Sequence, residues 1–333
     1  MNKKTALFFI ISLIIGVCVF IFALTVGKYE ISVSDFFKAV FTADESVTTQ
    51  RSIILNLRLP RTIIAALTGI GLSISGLLYQ EIFQNKLVSP DLLGVSSGSA
   101  VGAAVAILLG FSSAIISLLS FCLGIVTVLI TLILSRQFKN GKSLTLILAG
   151  IIVGGFMSAA LSMIKYFADP MTTLSTITYW LMGSFENSIM KKVYILLPIV
   201  LVCCIVLITI SWRINVVALG QEEAQTKGIN YKFYQLLIIG IATLLTASTV
   251  AFSGTISWIG LVVPHLVRLI VGRDTRRTIP LCITFGGIFM MLVDIFSRTF
   301  TSQELPVSAV TGLFGTVIFV VILLIRRRDY NVH

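Results

Sequence analysis

Ten long apolar segments divide this chain, and they leave few ways for it to fold. They run over residues 6–26, 62–83, 92–110, 112–134, 143–164, 193–212, 234–252, 257–272, 279–299 and 308–325. A membrane-spanning helix needs about 20 apolar residues. In lipid, a helix satisfies all of its own backbone N–H and C=O groups. Each segment is therefore expected to be a helix, with the third and eighth the shortest or most glycine-rich. Charged residues make up only 12% of the 333 residues, against roughly 25% in a soluble domain. That is too little polar side chain to cover a water-facing surface. The expected fold class is an all-α polytopic membrane protein, a single transmembrane domain over residues 1–333 with about ten transmembrane helices.

Loop charges orient the segments. With the N-terminus inside, 16 Lys and Arg fall on the cytoplasmic side and 9 on the other. That bias follows the positive-inside rule and places both termini in the cytoplasm. The first apolar run, behind Lys3 and Lys4, exceeds a signal-peptide core of ~7–15 residues and reads as a retained span. The net charge of +11 does not indicate nucleic acid, because the basic residues sit at span ends rather than in an aromatic-interleaved stripe. The five cysteines all lie in apolar runs without C-x-x-C spacing and read as small apolar filler.

Two stretches on the outer side are more than linkers. "ISVSDFFKAVF" suits an amphipathic surface helix, and "TTLSTITYWLMGSF" is too short and polar to span. Gly98-x-x-x-Gly102 and Gly150-x-x-x-Gly154 let helix backbones approach closely.

Catalytic and cofactor motifs are scarce. "NGKS" at 140–143 ends like a P-loop, but Arg136 stands where its first glycine belongs. If ATP drives this protein, another chain binds it. The charged or titratable candidates near the spans are Lys165, His265, Arg268, Asp294, Arg298 and Glu304. Most fall at predicted span ends, where snorkelling is cheap, and none forms a relay of the kind ion-coupled carriers use. A lone His265 beside Pro264 reads as a kinked polar spot. "RLPR" at 58–61 sets two arginines just outside the second predicted span. They either anchor the helix at the interface or meet carboxylates of an external partner.

The segment "ALGQEEAQTKGIN" at 218–230 is a polar, helix-compatible insert between two apolar runs. Gly228 is placed to end it.

Together, "RLPRTIIAALTGIGLSISGLLYQEIFQNKLVSPDLLGVSSGSA", "ALGQEEAQTKGIN", "GTISWIGLVVPHLVRLIVGRDTRR" and "ELPVSAVTGLFG" resemble the FecCD-type permease subunits of binding-protein-dependent ABC importers for iron chelates, haem and cobalamin. The resemblance covers nearly the whole chain, in order. It implies the type II ABC importer permease fold in a bacterial cytoplasmic membrane, and a permease dimer, either a homodimer or a paralogous heterodimer. Two cytoplasmic ATP-binding subunits and an extracytoplasmic substrate-binding lipoprotein would complete the complex. This chain would hold no cofactor and catalyse no reaction; ATP and Mg would be used by the ATPase.

The same resemblance assigns residues. Arg58, Arg61 and Arg298 would dock the binding protein. Asn85 and Leu87, with Ser143, would form the cytoplasmic gate. A coupling helix near 217–229 would carry Leu219, Gly220, Glu222, Glu223, Ala224 and Gly228 against the ATPase. On that reading, Ala224→Arg would uncouple without unfolding. Trp180, Gly183 and Ser184 match the family's W-x-x-G-S pattern. Lys86 departs from it, standing where proline is frequent. A ferric siderophore is the first cargo expected, with haem and cobalamin next. An ion-coupled carrier, a membrane enzyme and a structural scaffold are the competing classes.

Overall fold

The computed structural model describes residues 3–29, 31–41, 48–137 and 143–330, and it is helical with no strand among them. Helices α1 (Lys3–Thr25), α2 (Val33–Phe41) and α3 (Thr48–Ser52) open the chain. A π-helical turn, Ile53–Arg58, joins α3 to α4 (Leu59–Ile82). A 3-10 turn, Pro90–Leu93, leads into α5 (Val95–Leu108), α6 (Ser113–Gln137) and α7 (Ser143–Phe167). Then follow α8 (Thr173–Met182), α9 (Met190–Val217) and the short α10 (Gln221–Thr226). The chain continues through α11 (Tyr231–Ser253), α12 (Ile259–Val271), α13 (Thr275–Thr299) and α14 (Val307–Tyr330).

Every predicted apolar segment is helical. Among the described residues, eight helices are long and apolar enough to cross a membrane, while α5 and α12 are shorter apolar helices. These two are the third and eighth predicted segments. The amphipathic stretch forms α2, which buries Phe36 and Ala39 and exposes Phe37. The short outer stretch forms α8. Of "NGKS", only Ser143 falls within the described residues, as the first residue of α7.

Helix α4 lies at the centre and packs on α9, α11, α12 and α13. Its Gly69 faces Gly286 of α13. A Cβ at Gly69 would stand 2.1 Å from the Gly286 carbonyl oxygen, so only glycine permits this approach. The same device seats α5 on α6, where a Cβ at Gly102 would lie 2.3 Å from the Leu119 carbonyl. Helix–helix attraction in lipid rests on packing rather than on a hydrophobic drive, so these contacts set the helix positions. By contrast, α1 lies at the periphery, with 17% of its span window buried against 83% for the helix ending in α4.

The structure corrects the sequence reading at 48–61. Instead of an outer loop ending at "RLPR", these residues form one helical rod with α4, Thr48–Ile82. Proline reads as a helix start because it fits the first turn without loss. Here Pro60 has no N–H to offer and its ring crowds the preceding turn. The helix passes it through one wider turn, in which the Leu59 N–H donates to Ile54.

Candidate functional site

Two polar assemblies sit at opposite ends of the bundle. The first gathers Arg58, Arg61 and Arg298. The π turn aims Arg58 at the C-terminus of α1, where its Nη1 donates to the Leu24 carbonyl at 2.9 Å and the Thr25 carbonyl at 2.6 Å. A cation on the last carbonyls of a helix also complements the helix dipole. Arg298 Nη2 donates to the Ala23 carbonyl, and its Nε lies 3.5 Å from Asp294. Arg61 Nε donates to Asp294 Oδ1 at 2.7 Å. Its two terminal nitrogens take both Glu304 oxygens, at 2.6 and 3.0 Å. This is the bidentate geometry that favours arginine over lysine.

The structure thus brings the three predicted arginines together, but inside the bundle. Their exposures are 5%, 8% and 6%, which rules out simple interfacial anchors. Asp294 is fully buried as well. It is nonetheless a paired ion and not a relay, with arginines on both oxygens. A 320 Å³ cavity opens over the cluster, lined by Lys28, Tyr29, Arg58, Arg61, Glu186, Arg298 and Glu304 among others.

The opposite end holds α10. Gly220, at φ +108°, turns the chain out of α9, and Gly228, at φ +71°, turns it out of α10. The Gly228 N–H donates to Gln225, and the Ile229 N–H donates to Ala224, both at 2.9 Å. That pair of bonds is a Schellman stop, so Gly228 ends the helix as its sequence position predicts. Ala224 is completely buried, and Ile229 is 8% exposed. Together they clamp α10 onto the bundle. Leu219, Glu222 and Glu223 are exposed. Ala224 therefore faces the bundle, not a partner, and an arginine there would enter the core.

The predicted gate turn lies alongside. Gln84 adopts φ +51°, and Asn85 Oδ1 accepts from the Leu87 N–H at 3.0 Å. Leu87 is 65% exposed, and Lys86 is half-buried. The Gln84 side-chain nitrogen sits beside Gly220, 3.4 Å from where a Cβ would be. The turn and the start of α10 are therefore neighbours.

Behind the turn is a latch the sequence reading did not single out. Arg268 donates to Gln80 Oε1 and, at 3.0 Å, to Glu81 Oε1. Gln80 in turn donates to the carbonyls of Gly260 at 3.2 Å and Val88 at 3.3 Å. These bonds fasten the end of α4 and the turn to α12. The available signal was an arginine in a short apolar helix that lacked an acid of its own, and Glu81 near the end of α4 supplies one. His265 lies one turn away, with Nδ1 at 3.0 Å from the Leu261 carbonyl and its ring edge on Phe319.

The loop before α13 is also pinned at this end. Asp274 caps the helix by accepting from the Arg276 N–H at 3.1 Å, and it accepts from Asn215 Nδ2 at 2.7 Å. Partial burial pushes its pKa up, but the hydrogen bonds from Arg276 and Asn215 outweigh that and hold it below the ordinary value. No group of three or more metal-ligating side chains occurs among the described residues.

At the arginine end, the W-x-x-G-S residues close a corner. The Gly183 carbonyl accepts from the Val307 N–H at 3.2 Å, and the Ser184 N–H donates to Ser253 at 3.0 Å. A Cβ at Gly254 would lie 2.3 Å from the Trp180 carbonyl.

Comparison with known proteins gives a consistent picture. The chain is 35% identical over 315 residues to the molybdate import system permease protein MolB of Haemophilus influenzae, covering 93% of this chain and 94% of that protein. It is 36% identical over 287 residues to the "Probable iron chelatin transport system permease protein" of Helicobacter pylori, covering 86% and 87%. A solved structure described as "An inward-facing conformation of a putative metal-chelate type ABC transporter" superposes with a TM-score of 0.88 at 33% identity, covering 95% of this chain and 98% of that one. The profile of the FecCD transport family matches residues 13–326. This all-helical, multi-pass membrane protein belongs to the FecCD transport family, with the type II fold of ABC importer permeases.

Proposed function

We propose that this chain is half of the pore of an ATP-driven importer in a bacterial cytoplasmic membrane. A second permease copy or a paralogue completes the pore. Two cytoplasmic subunits hydrolyse ATP with Mg, and an extracytoplasmic lipoprotein delivers the cargo. Both termini and α10 face the cytoplasm, in keeping with the distribution of Lys and Arg.

The observation that carries this reading is the exposed face of α10. Glu222 and Glu223 project from a short helix, with Leu219 exposed just before it, and Gly220, Ala224 and Gly228 fix that helix to the bundle. A chain without a P-loop needs such a surface if another chain's ATP cycle is to move it. Gln84 beside Gly220 links that surface to the turn of Asn85 and Leu87, and Ser143, the first residue of α7, is assigned to the same gate. A partner shifts two pore states only as far as it binds them differently, and an exposed, clamped helix supports such a difference.

On the outer side, Arg58, Arg61 and Arg298 form the floor of the docking site. Lys28 and these arginines give four cations around the cavity, against Asp294, Glu186 and Glu304. That positive surplus suits a partner carboxylate at the mouth.

The cargo reading is an iron chelate, with a ferric siderophore first and haem or cobalamin as alternatives. The Helicobacter relative and the metal-chelate transporter support it. The Haemophilus relative makes molybdate the competing cargo. The test is uptake of a labelled ferric chelate and of labelled molybdate by vesicles holding the complete transporter and ATP. Chelate uptake supports the reading, and uptake of molybdate alone would replace it.

A further inference from the structure

We infer that the cleft between α6, α9 and α11 at the arginine end is a binding site for one anionic phospholipid. The geometry does not depend on which cargo the pore carries, nor on how ATP is used.

Two cavities meet in this cleft. One, of 620 Å³, is almost wholly apolar and is walled by Leu118, Phe121, Ile195, Ile199 and Phe252. The other, of 460 Å³, is polar and reaches under α8, where Ser175, Thr176 and Asn187 line it. Ser113, Ser117, Lys192, Ala251 and Phe252 line both. The pair therefore forms one continuous amphipathic cleft, with an apolar arm and a polar arm joined at Lys192. Both volumes lie within the range of about 300–1,000 Å³ typical of ligand sites.

The charge of the lining selects the head group. Lys191 and Lys192 are its charged residues, and no carboxylate lines either arm. Lys192 spends one donor on the Asn187 carbonyl, at 2.9 Å. An ammonium carries three donors, so two remain for a ligand. The hydroxyls of Ser113 and Ser117 add further donors, whereas those of Ser175 and Thr176 already donate to the Thr172 carbonyl. This set matches the oxygens of a phosphodiester.

The surroundings select the tail. Leu118 and Ile195, on the flanking helices, are 59% and 53% exposed. In a membrane they meet acyl chains, so the apolar arm opens toward lipid and not toward water. An acyl chain in that arm brings the glycerol backbone to the junction, the phosphate to Lys192 and the polar head group under α8. The occupant is thus a lipid with a negative head group, held as a wedge between α8 and the three long helices.

The test uses the full chain, stripped of lipid in detergent and then offered phosphatidylglycerol or phosphatidylcholine. Native mass spectrometry counts what is retained, and thermal unfolding reads the stabilisation a bound ligand confers. One retained phosphatidylglycerol per chain is expected, with a preference over phosphatidylcholine of about fivefold per lysine, the electrostatic worth of one cation facing anionic lipid. Lys192→Gln should cut that preference. Ala114→Trp, at an exposed position on the apolar arm, should reduce retention of both lipids while leaving the unliganded melting temperature unchanged. Glycerophosphate without acyl chains should not compete. Equal retention of the two lipids, an undiminished preference in Lys192→Gln, or competition by glycerophosphate would each overturn the site.

Discussion

Arg61 and Asp294 are joined at 2.7 Å in the interior of the bundle, although 233 residues separate them in the chain. The pair ties α4 to α13, and Glu304 and Arg298 complete the network. Removing one member of a buried pair leaves an uncompensated charge, at a cost of about 3–5 kcal/mol. Arg61→Met and Asp294→Leu should each lower the melting temperature of the purified protein. The double variant should lose less than the sum of the two, with a coupling of about 0.5–3 kcal/mol in a double-mutant cycle. For the same reason, reversing Arg61 to Glu disrupts the fold before it can report on docking.

Helix α10 separates anchoring residues from exposed ones. Ala224 is completely buried, so Ala224→Arg places a charge in the core and should lower the melting temperature. Glu222→Lys with Glu223→Lys changes only exposed side chains and should leave it within about 0.5 kcal/mol of the parent stability. The exposed pair should nevertheless lose transport-coupled ATP hydrolysis in the assembled complex. Stability and hydrolysis measured on both variants check this together.

Glycine contacts predict opposite outcomes for one substitution. Gly69→Ala drives a methyl group into the Gly286 carbonyl, 2.1 Å away. Overpacking of this kind costs about 1–3 kcal/mol. Nothing lies within 4 Å of a Cβ at Gly240, so Gly240→Ala should be neutral or stabilising by up to about 1 kcal/mol, the helix propensity difference. Thermal unfolding of the two variants in one detergent compares them directly.

Asp274 gives a dependence on acid. Its folded pKa lies below the ordinary value because hydrogen bonds from Arg276 and Asn215 outweigh the effect of partial burial. The stabilisation is therefore complete above the unfolded pKa of about 3.9 and is lost as pH falls through the lower folded pKa. Asp274→Ala should cost about 1 kcal/mol at neutral pH, as other lost helix caps do. The gap to the parent protein should close in the acid range below about pH 4, as read by unfolding at a series of pH values.

The helices were legible because the bilayer leaves a long apolar run one common solution. Even the weakness of the third and eighth segments was visible, since the eighth is the shortest and the third is rich in glycine. The Schellman stop at Gly228 was also readable, because caps are local. What could not be read were relationships across the chain. Nothing near Arg61 announces Asp294 or Glu304, and nothing near Arg268 announces Gln80 and Glu81. Pro60 gave no sign of the helix that runs on through it, since a proline suits a first turn equally well. The inward face of Ala224 was hidden for another reason. A six-residue helix is too short for its pattern to show which side meets the bundle.

The central claim is that an ATP cycle in another chain drives this pore. The direct measurement is uptake of a labelled ferric chelate by vesicles that hold the permease with its ATPase, with the binding protein outside. The account predicts uptake that requires ATP within and binding protein without, and that persists when proton and sodium gradients are collapsed. Uptake that ignores ATP and stops when those gradients collapse would contradict it.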